Sequence, residues 1–339
     1  MIRFGIAGIP LTSKGRTLVD SIIDSHFLGL NALEVQLLRV NVEEAPAIEY
    51  SGKYPKDVDD SIIVNILRPD ENGNYQSVGI DTQIESEDIL QELFWNMAKN
   101  YDEIVEGGEI AKELDVQLSL HAPYYMDLLS HEEISEKSFD HLKWSLTIGR
   151  TMGARRVVSH TGFYRGNKKD SLMSAQKIYS RITKEFSHEQ GFPYVGVETA
   201  GKPELFGTTA ELISLAKKIP GVEPILNFPH VHSLAGGSLT DIASFEAVIT
   251  EYAKYAKGDL YTEFSGVEHK DGSEIKMTAI KHGDLKFETL SEYLQDYSGD
   301  MTIISMSPLL EHDAQYMDVI FLRAIAKRLQ RKSALKAGA

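Results

Sequence analysis

Apolar runs of strand length alternate along the chain with stretches of helical period. The strand-like runs are "IRFGIAG" (2–8), "ALEVQLL" (32–38), "VQLSLH" (116–121), "RRVVSH" (155–160), "YVGVE" (194–198), "EPILNF" (223–228), "LYTEF" (260–264) and "MTIISM" (301–306). Most are apolar on both faces, as parallel strands covered by helices must be. Between them, Leu172, Ala175, Tyr179, Ile182 and Phe186 step by three or four along one helical face. A second helix carries Leu212, Leu215 and Ile219 behind a capping box of Thr208 and Glu211, with Pro220-Gly221 as its stop. A third opens on Ser130 and Glu133, and a fourth runs through Ile242, Phe245, Ile249 and Tyr252 to Gly258. Eight strands, each followed by a helix, predict an α/β fold of the TIM (β/α)8 barrel type. The barrel is expected as one domain over residues 1–331, with 332–339 as a C-terminal tail. Residues 41–85 break the period: "DSIIVNILRP", "DENGNY" and "QSVGIDTQI" predict a β-hairpin inserted after the second strand.

Composition narrows the chemistry. With 339 residues, 42% of them hydrophobic, the chain can bury a large core. A net charge of -15 argues against non-specific coating of nucleic acid or anionic membrane, while leaving room for a locally basic groove. The absence of cysteine removes disulfides, thiolate metal sites and thiol nucleophiles. A metal must then be held by His, Asp, Glu or Asn, a ligand set suited to zinc, manganese or iron. "MIRFGIAGIP" meets Pro10 before a signal-peptide core develops, and no apolar run approaches the ~20 residues of a membrane span. A soluble, cytoplasmic protein without a membrane or protein partner is the expectation.

Chemistry in this fold sits at the C-terminal ends of the strands. The third run ends in His121, the fourth in His160 and the fifth in Glu198; the sixth ends in Asn227, followed by His230 and His232. The seventh ends near Glu263 and the eighth in Met306. Barrel closure points the first three towards one centre, and two imidazoles with a carboxylate suit zinc. The alternative is a polar, hydrogen-bonded cluster closing the barrel mouth. Glu34, among apolar neighbours in the second strand, needs a partner or faces the site. His131, His141, His188, His269, His282 and His312 are expected on solvated surface. "AGKPELFG" and "LAGGSL" are glycine-containing loops without the spacing of a phosphate loop. Tyr124, Tyr125, Phe163 and Tyr164 follow the His121 and His160 strands, where they can stack on a base or sugar or pack beneath loops.

The ordered motifs "HAPYYMDL", "VVSHTGFY", "VGVETAGKPELFG", "PILNFPHVH", "FSGVEHKDGSEIKMTAI" and "ISMSPLLEHDA" resemble an archaeal branch of the endonuclease IV family, AP endonucleases among the xylose-isomerase-like barrels. The resemblance spans nearly the whole chain outside 41–85. It implies a DNA-repair hydrolase that cuts beside abasic sites in DNA with a cluster of zinc ions. It further implies His121 and His160 as ligands, Glu198 as a bridging carboxylate, and His230 as the histidine of an Asp-x-x-His pattern. His232 matches a further histidine of that branch. The departures are as specific: Asn227 stands for aspartate, Glu263 for a histidine, Met277 for a histidine ligand, Met306 for a bridging glutamate and Thr161 for a proline. A thioether is a poor ligand for a hard site. The expectation is therefore a reduced site of one or two ions, zinc or else manganese. Its ligands would be His121, His160, Glu198, Glu263 and His230, with Glu198 and Glu263 catalytic and Asn227 and His232 as remnants. Two other readings stand beside it: a nucleic-acid-binding protein that has lost catalysis, and a single-metal sugar isomerase or epimerase using Glu198 and Glu263.

Overall fold

A computed structural model of the chain describes all residues except 39, 187–190 and 338–339. The eight apolar runs form a closed parallel barrel. Its strands are β1 (Ile2–Ala7) and β2 (Ala32–Gln36), then β7 (Gln117–His121), β8 (Arg156–Ser159), β9 (Tyr194–Glu198) and β10 (Val222–Asn227), then β11 (Leu260–Phe264) and β14 (Met301–Ser305). Strands β3 (Asn41–Pro46), β4 (Ile62–Pro69), β5 (Tyr75–Ser77) and β6 (Ile89–Phe94) make an inserted sheet, and β12 (Gly266–Lys270) with β13 (Ser273–Thr278) a hairpin at the mouth. The helices are α1 (Leu18–Phe27), α2 (Tyr101–Glu113), α3 (Glu132–Thr151), α4 (Lys168–Glu185) and α5 (Thr209–Lys218). They continue with α6 (Phe228–Leu234), α7 (Ile242–Ala253), α8 (Phe287–Leu294) and α9 (Glu311–Ala337). None of the described helices is long and apolar enough to cross a membrane.

The insertion is larger than the hairpin expected over 41–85. Four antiparallel strands, in the order β3-β6-β4-β5, occupy residues 41–94. The β4–β5 turn is where the sequence placed it, with Asp70 Oδ1 accepting the backbone N–H groups of Asn72 and Asn74. The missed strand β3, "NVEEAP", is an exposed edge with two glutamates and a proline, so it lacks apolar alternation. On β4, Ile62 and Val64 join the main core, whereas Ile63 and Ile66 join a small separate one with Ile84 and Leu90. A register shift between Ile63 and Asn65 re-phases the side chains between the two faces.

Three further expectations change. Helix α3 begins at Glu132 with His131 as an unbonded cap; Ser130 accepts from Arg165 Nη2 instead, and Glu133 pairs with Lys137. Helix α7 ends at Ala253, short of Gly258. Helix α9 runs on to Ala337, through most of the stretch expected as a tail. The Thr208–Glu211 box is present at α5, with Glu211 also accepting from Tyr164 Oη at 2.8 and 2.9 Å.

The N-terminal end of the barrel is closed by charge. Arg156 is fully buried, donates to Glu223 Oε1 at 2.7 Å and Asp259 Oδ1 at 2.9 Å, and stacks over the Tyr261 ring at 4.7 Å. Removing the guanidinium strands two buried carboxylates. Arg156→Met should therefore cost about 3–5 kcal/mol, read as a lower denaturant midpoint with an unchanged slope. A loss under about 1 kcal/mol would mean that the network is neutral to folding.

Candidate metal centre

Strand ends at the C-terminal mouth deliver the polar residues. His121 ends β7, His160 follows β8 directly, Glu198 ends β9, Asn227 ends β10 and Glu263 lies in β11. Nε2 of His121 lies 3.1 Å and Nε2 of His160 3.4 Å from Glu198 Oε2, with their rings 5.2 Å apart. One ligand atom from each of these three residues lies within 4.8 Å of the other two.

A hydrogen bond on the far side of the His121 ring and the charges around both rings decide what this closeness means. His121 Nδ1 is 2.6 Å from the Ala122 carbonyl, so it carries a proton and turns Nε2 towards Glu198. Burial alone would lower the His121 pKa, but Glu198 and the charge of Glu34 outweigh it and hold it at about 9. Glu198 is drawn well below the usual carboxylate range: its burial is overcome by the surrounding histidines. His160 goes the other way, to about 4, because burial and the neighbouring His121 and His230 disfavour its charge. An anionic carboxylate facing two inward Nε2 atoms is a donor set that fits a divalent ion.

A proton now held on His121 Nε2 has to leave for an ion to bind there. Zinc uptake at pH 7 should release about one proton, and apparent affinity should rise about tenfold per unit from pH 7 to 9. Calorimetry in two buffers of different ionisation heat measures this; uptake without proton release would exclude His121 as a ligand. The sign for the metal-free fold is opposite. A histidine raised above its unfolded value stabilises fully below pH ~6.5, and that contribution disappears as pH rises through about 9.

Asn227 explains much of the departure from the expected ligand pattern. Its Oδ1 caps α6 by accepting the His230 backbone N–H at 3.0 Å. Its amide nitrogen donates to Glu198 Oε1 at 2.8 Å and to Glu263 Oε2 at 2.7 Å. An aspartate would set a third carboxylate between two others and demand a cation; the asparagine amide satisfies both by hydrogen bonding. Glu263 is fully buried, its Oε1 has no hydrogen-bond partner, and burial beside Glu198 and Glu34 raises its pKa well above normal. It therefore stands next to Glu198 and outside the three-residue ligand group. Glu34 does face the interior, accepting from Gln36 Nε2 and Tyr261 Oη, both at 2.7 Å.

The hairpin supplies a residue the sequence reading missed. Glu274, on β13, brings Oε2 to 2.8 Å from His230 Nε2. Burial would lower the His230 pKa, but Glu198, 3.2 Å from Nδ1, and Glu274 outweigh it and hold it at about 10, so His230 and Glu274 stand as a buried ion pair. His230 Nδ1 meanwhile faces the Thr199 carbonyl at 2.6 Å, which again directs Nε2 to this contact. Gly201 is what admits the hairpin: a Cβ there would stand 2.6 Å from both Glu274 Oε2 and His230 Cδ2. The glycine of "AGKPELFG" thus serves a close approach of side chains. Nothing in the exposed alternation of β13 marks Glu274 in advance.

A second group, His232, His269 and Asp284, is as tightly spaced as the first. Here the protons argue against a metal. The Leu239 backbone N–H donates to His232 Nδ1 at 3.1 Å, so Nε2 bears the proton and donates to Asp284 Oδ1 at 3.1 Å. His269 Nε2 lies 3.3 Å from both oxygens of Asp284. The three form a strut tying α6, the hairpin and the following loop, with Gly237 allowing the His269 ring to within van der Waals reach. His269, expected on the surface, is instead largely covered. His131, His282 and His312 are exposed, His141 is half-buried and His188 lies outside the described residues.

Both methionines have apolar neighbours. Met306, just past β14, packs on Ala32, Val158, Ile225, Tyr261 and Ile304, and Met277 pairs with Val267 in the hairpin. Thr161 is buried with its hydroxyl 3.0 Å from Tyr179 Oη, a contact no proline could make.

The chain has relatives. Residues 90–307 match the AP endonuclease 2 family, described as a xylose isomerase-like TIM barrel. An uncharacterized protein of Methanocaldococcus jannaschii is 25% identical over 255 residues, covering 70% of this chain and 91% of that protein. A probable endonuclease 4 of Streptomyces avermitilis is 39% identical over 87 residues, which cover 24% of this chain and 28% of that protein. Among solved structures, endonuclease IV from Thermus thermophilus superposes with a TM-score of 0.62 at 16% identity, over 96% of this chain and 99% of that one. A D-tagatose 3-epimerase-like protein does so with a TM-score of 0.52 at 16% identity, over 68% and 85%. At those identities the structural likeness speaks for the fold alone.

Proposed function

The chain belongs to the AP endonuclease 2 family of xylose isomerase-like TIM barrels, and from that premise we propose that it is a metal-dependent phosphodiester hydrolase acting on DNA at abasic sites. The observation that carries this reading is the set His121 Nε2, His160 Nε2 and Glu198 Oε2, with the first ring oriented by a backbone carbonyl. These residues would hold one ion, zinc or manganese. His230 Nε2 and Glu274 Oε2, an ion pair at 2.8 Å, would offer two ligands to a second once the His230 proton has left. A divalent ion supplies Lewis acidity towards a phosphate oxygen and lowers the pKa of water.

The remaining work falls to the chain. Asn227 fixes Glu198 Oε1, leaving Oε2 for the site, and Glu263 holds a buried carboxyl beside it. Hydrolysis forms one P–O bond to water and breaks one to the leaving sugar oxygen, which takes up a proton. Between residues 41 and 94, acidic side chains outnumber basic ones thirteen to three. Their field turns a polyanion away from the inserted sheet.

Protein loaded with zinc or manganese should nick an abasic duplex, and chelator or His160→Ala should reduce nicking at least about a hundredfold. Metal-loaded protein that leaves abasic DNA intact would end this reading.

The paired carboxylates Glu198 and Glu263, bridged by one amide, favour a second reading: a single-metal sugar isomerase or epimerase. Turnover of a ketohexose without nicking of DNA would select it.

A further inference from the structure

Helix α9 outruns the barrel it covers. It starts at the mouth, where Glu311 accepts the backbone N–H groups of Leu11 and Thr12, and runs back past β14 and β1. Ile320 is its last buried residue among the described ones, yet the helix continues to Ala337. Helices in proteins draw most of their stability from packing one face, and this extension has no such support within the chain.

What the extension shows to solvent is ordered. Val319 is 38% exposed, Leu322 55% and Leu329 59%, with Ala326 exposed between the leucines. These residues follow one another by three, four and three positions, the spacing of the apolar seam in a pair of helices. Gln315, four residues earlier on the same face, donates to the Leu28 carbonyl, and adjoining Phe27 is 82% exposed. Exposed apolar residues scattered singly are ordinary; a ladder of them at seam spacing marks a contact surface.

Charge and shape decide what covers it. Arg323, Lys327 and Arg331 line the groove between α8 and α9, together with Glu288 and Glu292. The seam itself is uncharged, so a nucleic-acid backbone finds no cation in it. A second copy of α9 does fit. Set antiparallel about a two-fold axis at the level of Ala324, each Leu322 lies on the other copy's Ala326 and each Val319 on its Leu329, larger against smaller. The same axis sets Asp318 level with position 332 of the other copy, a lysine. Opposite charges flanking a seam fix partner and orientation. A parallel pair would instead set Ala326 against itself and leave a gap.

We propose that two copies of this chain pair through α9 as an antiparallel two-fold dimer. The barrels then stand at opposite ends of the paired helices, with both mouths open and facing apart.

Sedimentation of the full chain tests this. Mass should rise from one chain towards two across about 1–100 µM, as a narrow apolar strip supports only weak association. Leu322→Glu and Leu329→Glu should each raise the dissociation constant at least about tenfold and leave the unfolding midpoint of the dilute monomer unchanged. Ile48→Glu, at an exposed apolar position of the inserted sheet, should leave association as it is. Charge tests the register. Asp318→Lys and Lys332→Asp should each weaken the dimer at least about threefold, because like charges then meet at both ends of the seam. Mixed in equal amounts, the two variants should regain the affinity of the unaltered chain, since both cross-pairs recover opposite signs. A chain that stays monomeric to about 100 µM, or a dimer indifferent to both leucine variants, overturns the proposal. A mixture of the charge variants that associates no better than either alone overturns it too. So does association that appears only with added duplex DNA or anionic vesicles, which would give the strip another occupant.

Discussion

Glu198→Gln should empty the metal centre while leaving the fold intact. Glutamine keeps the shape and can still accept from Asn227, so thermal unfolding should move by only a few degrees. The charge is what matters: Glu198 Oε2 lies 3.1 Å from His121 and 3.4 Å from His160, and its hydrogen bond and charge, together with the charge of Glu34, hold the His121 proton up to about 9 against burial. Zinc retained through dialysis should fall from about one ion per chain to under about a tenth. Nicking should fall by about three orders of magnitude, roughly 4 kcal/mol of barrier. The His121 titration, followed by NMR on metal-free protein, should drop by more than one unit, because burial would then act on that ring against a weaker opponent. Retention of a full zinc equivalent would place the ion elsewhere, with the His230–Glu274 pair the first place to look.

Asn227→Asp should convert a satisfied cluster into one that demands a cation. Without metal, the change deletes the donors to Glu198 Oε1 and Glu263 Oε2 and inserts a third carboxylate between them. Glu198 Oε1 keeps His230 Nδ1 at 3.2 Å, but orphaning the buried Glu263 Oε2 costs about 1–3 kcal/mol, so the metal-free variant should unfold at a lower denaturant concentration. With zinc or manganese in excess, the introduced carboxylate and its two neighbours supply the negative charge that a further ion needs. The bound ion count should then rise by one and most of the lost stability should return. A variant whose stability ignores metal and whose ion count stays the same would show that Met306, packed over the barrel interior, already blocks the position.

The two substitutions also locate where sequence reading succeeds and where it stops. The barrel was legible because its strands are buried on both faces and read as continuous apolar runs, which a parallel sheet under helices requires. His121, His160 and Glu198 were legible for a related reason: each closes such a run, and barrel closure turns strand ends towards one axis. The four-stranded insertion was only half legible. Its edge strand carries Glu43, Glu44 and Pro46, a composition that protects an edge and hides the strand. Glu274 left no mark, because its place beside His230 depends on how a surface hairpin folds back over Gly201.

Proton positions lay wholly beyond the sequence. His230 and His232 sit two residues apart on one short helix, yet one is held as a cation paired with Glu274 while the other, its pKa lowered by burial, donates from Nε2 to Asp284. Their chemistry diverges because a carbonyl, that of Thr199, faces one ring and an N–H, that of Leu239, faces the other. The sequence by itself determined the barrel, the strand ends and the three residues, His121, His160 and Glu198, that meet at its mouth, since these follow from periodicity and the direction of the chain. The tertiary structure alone decided which ring nitrogens of the histidines carry protons, that Asn227 bridges two carboxylates, and that an aromatic cavity opens beside them. Those depend on contacts between segments far apart in the chain, and their directionality comes from hydrogen bonds that no local pattern encodes.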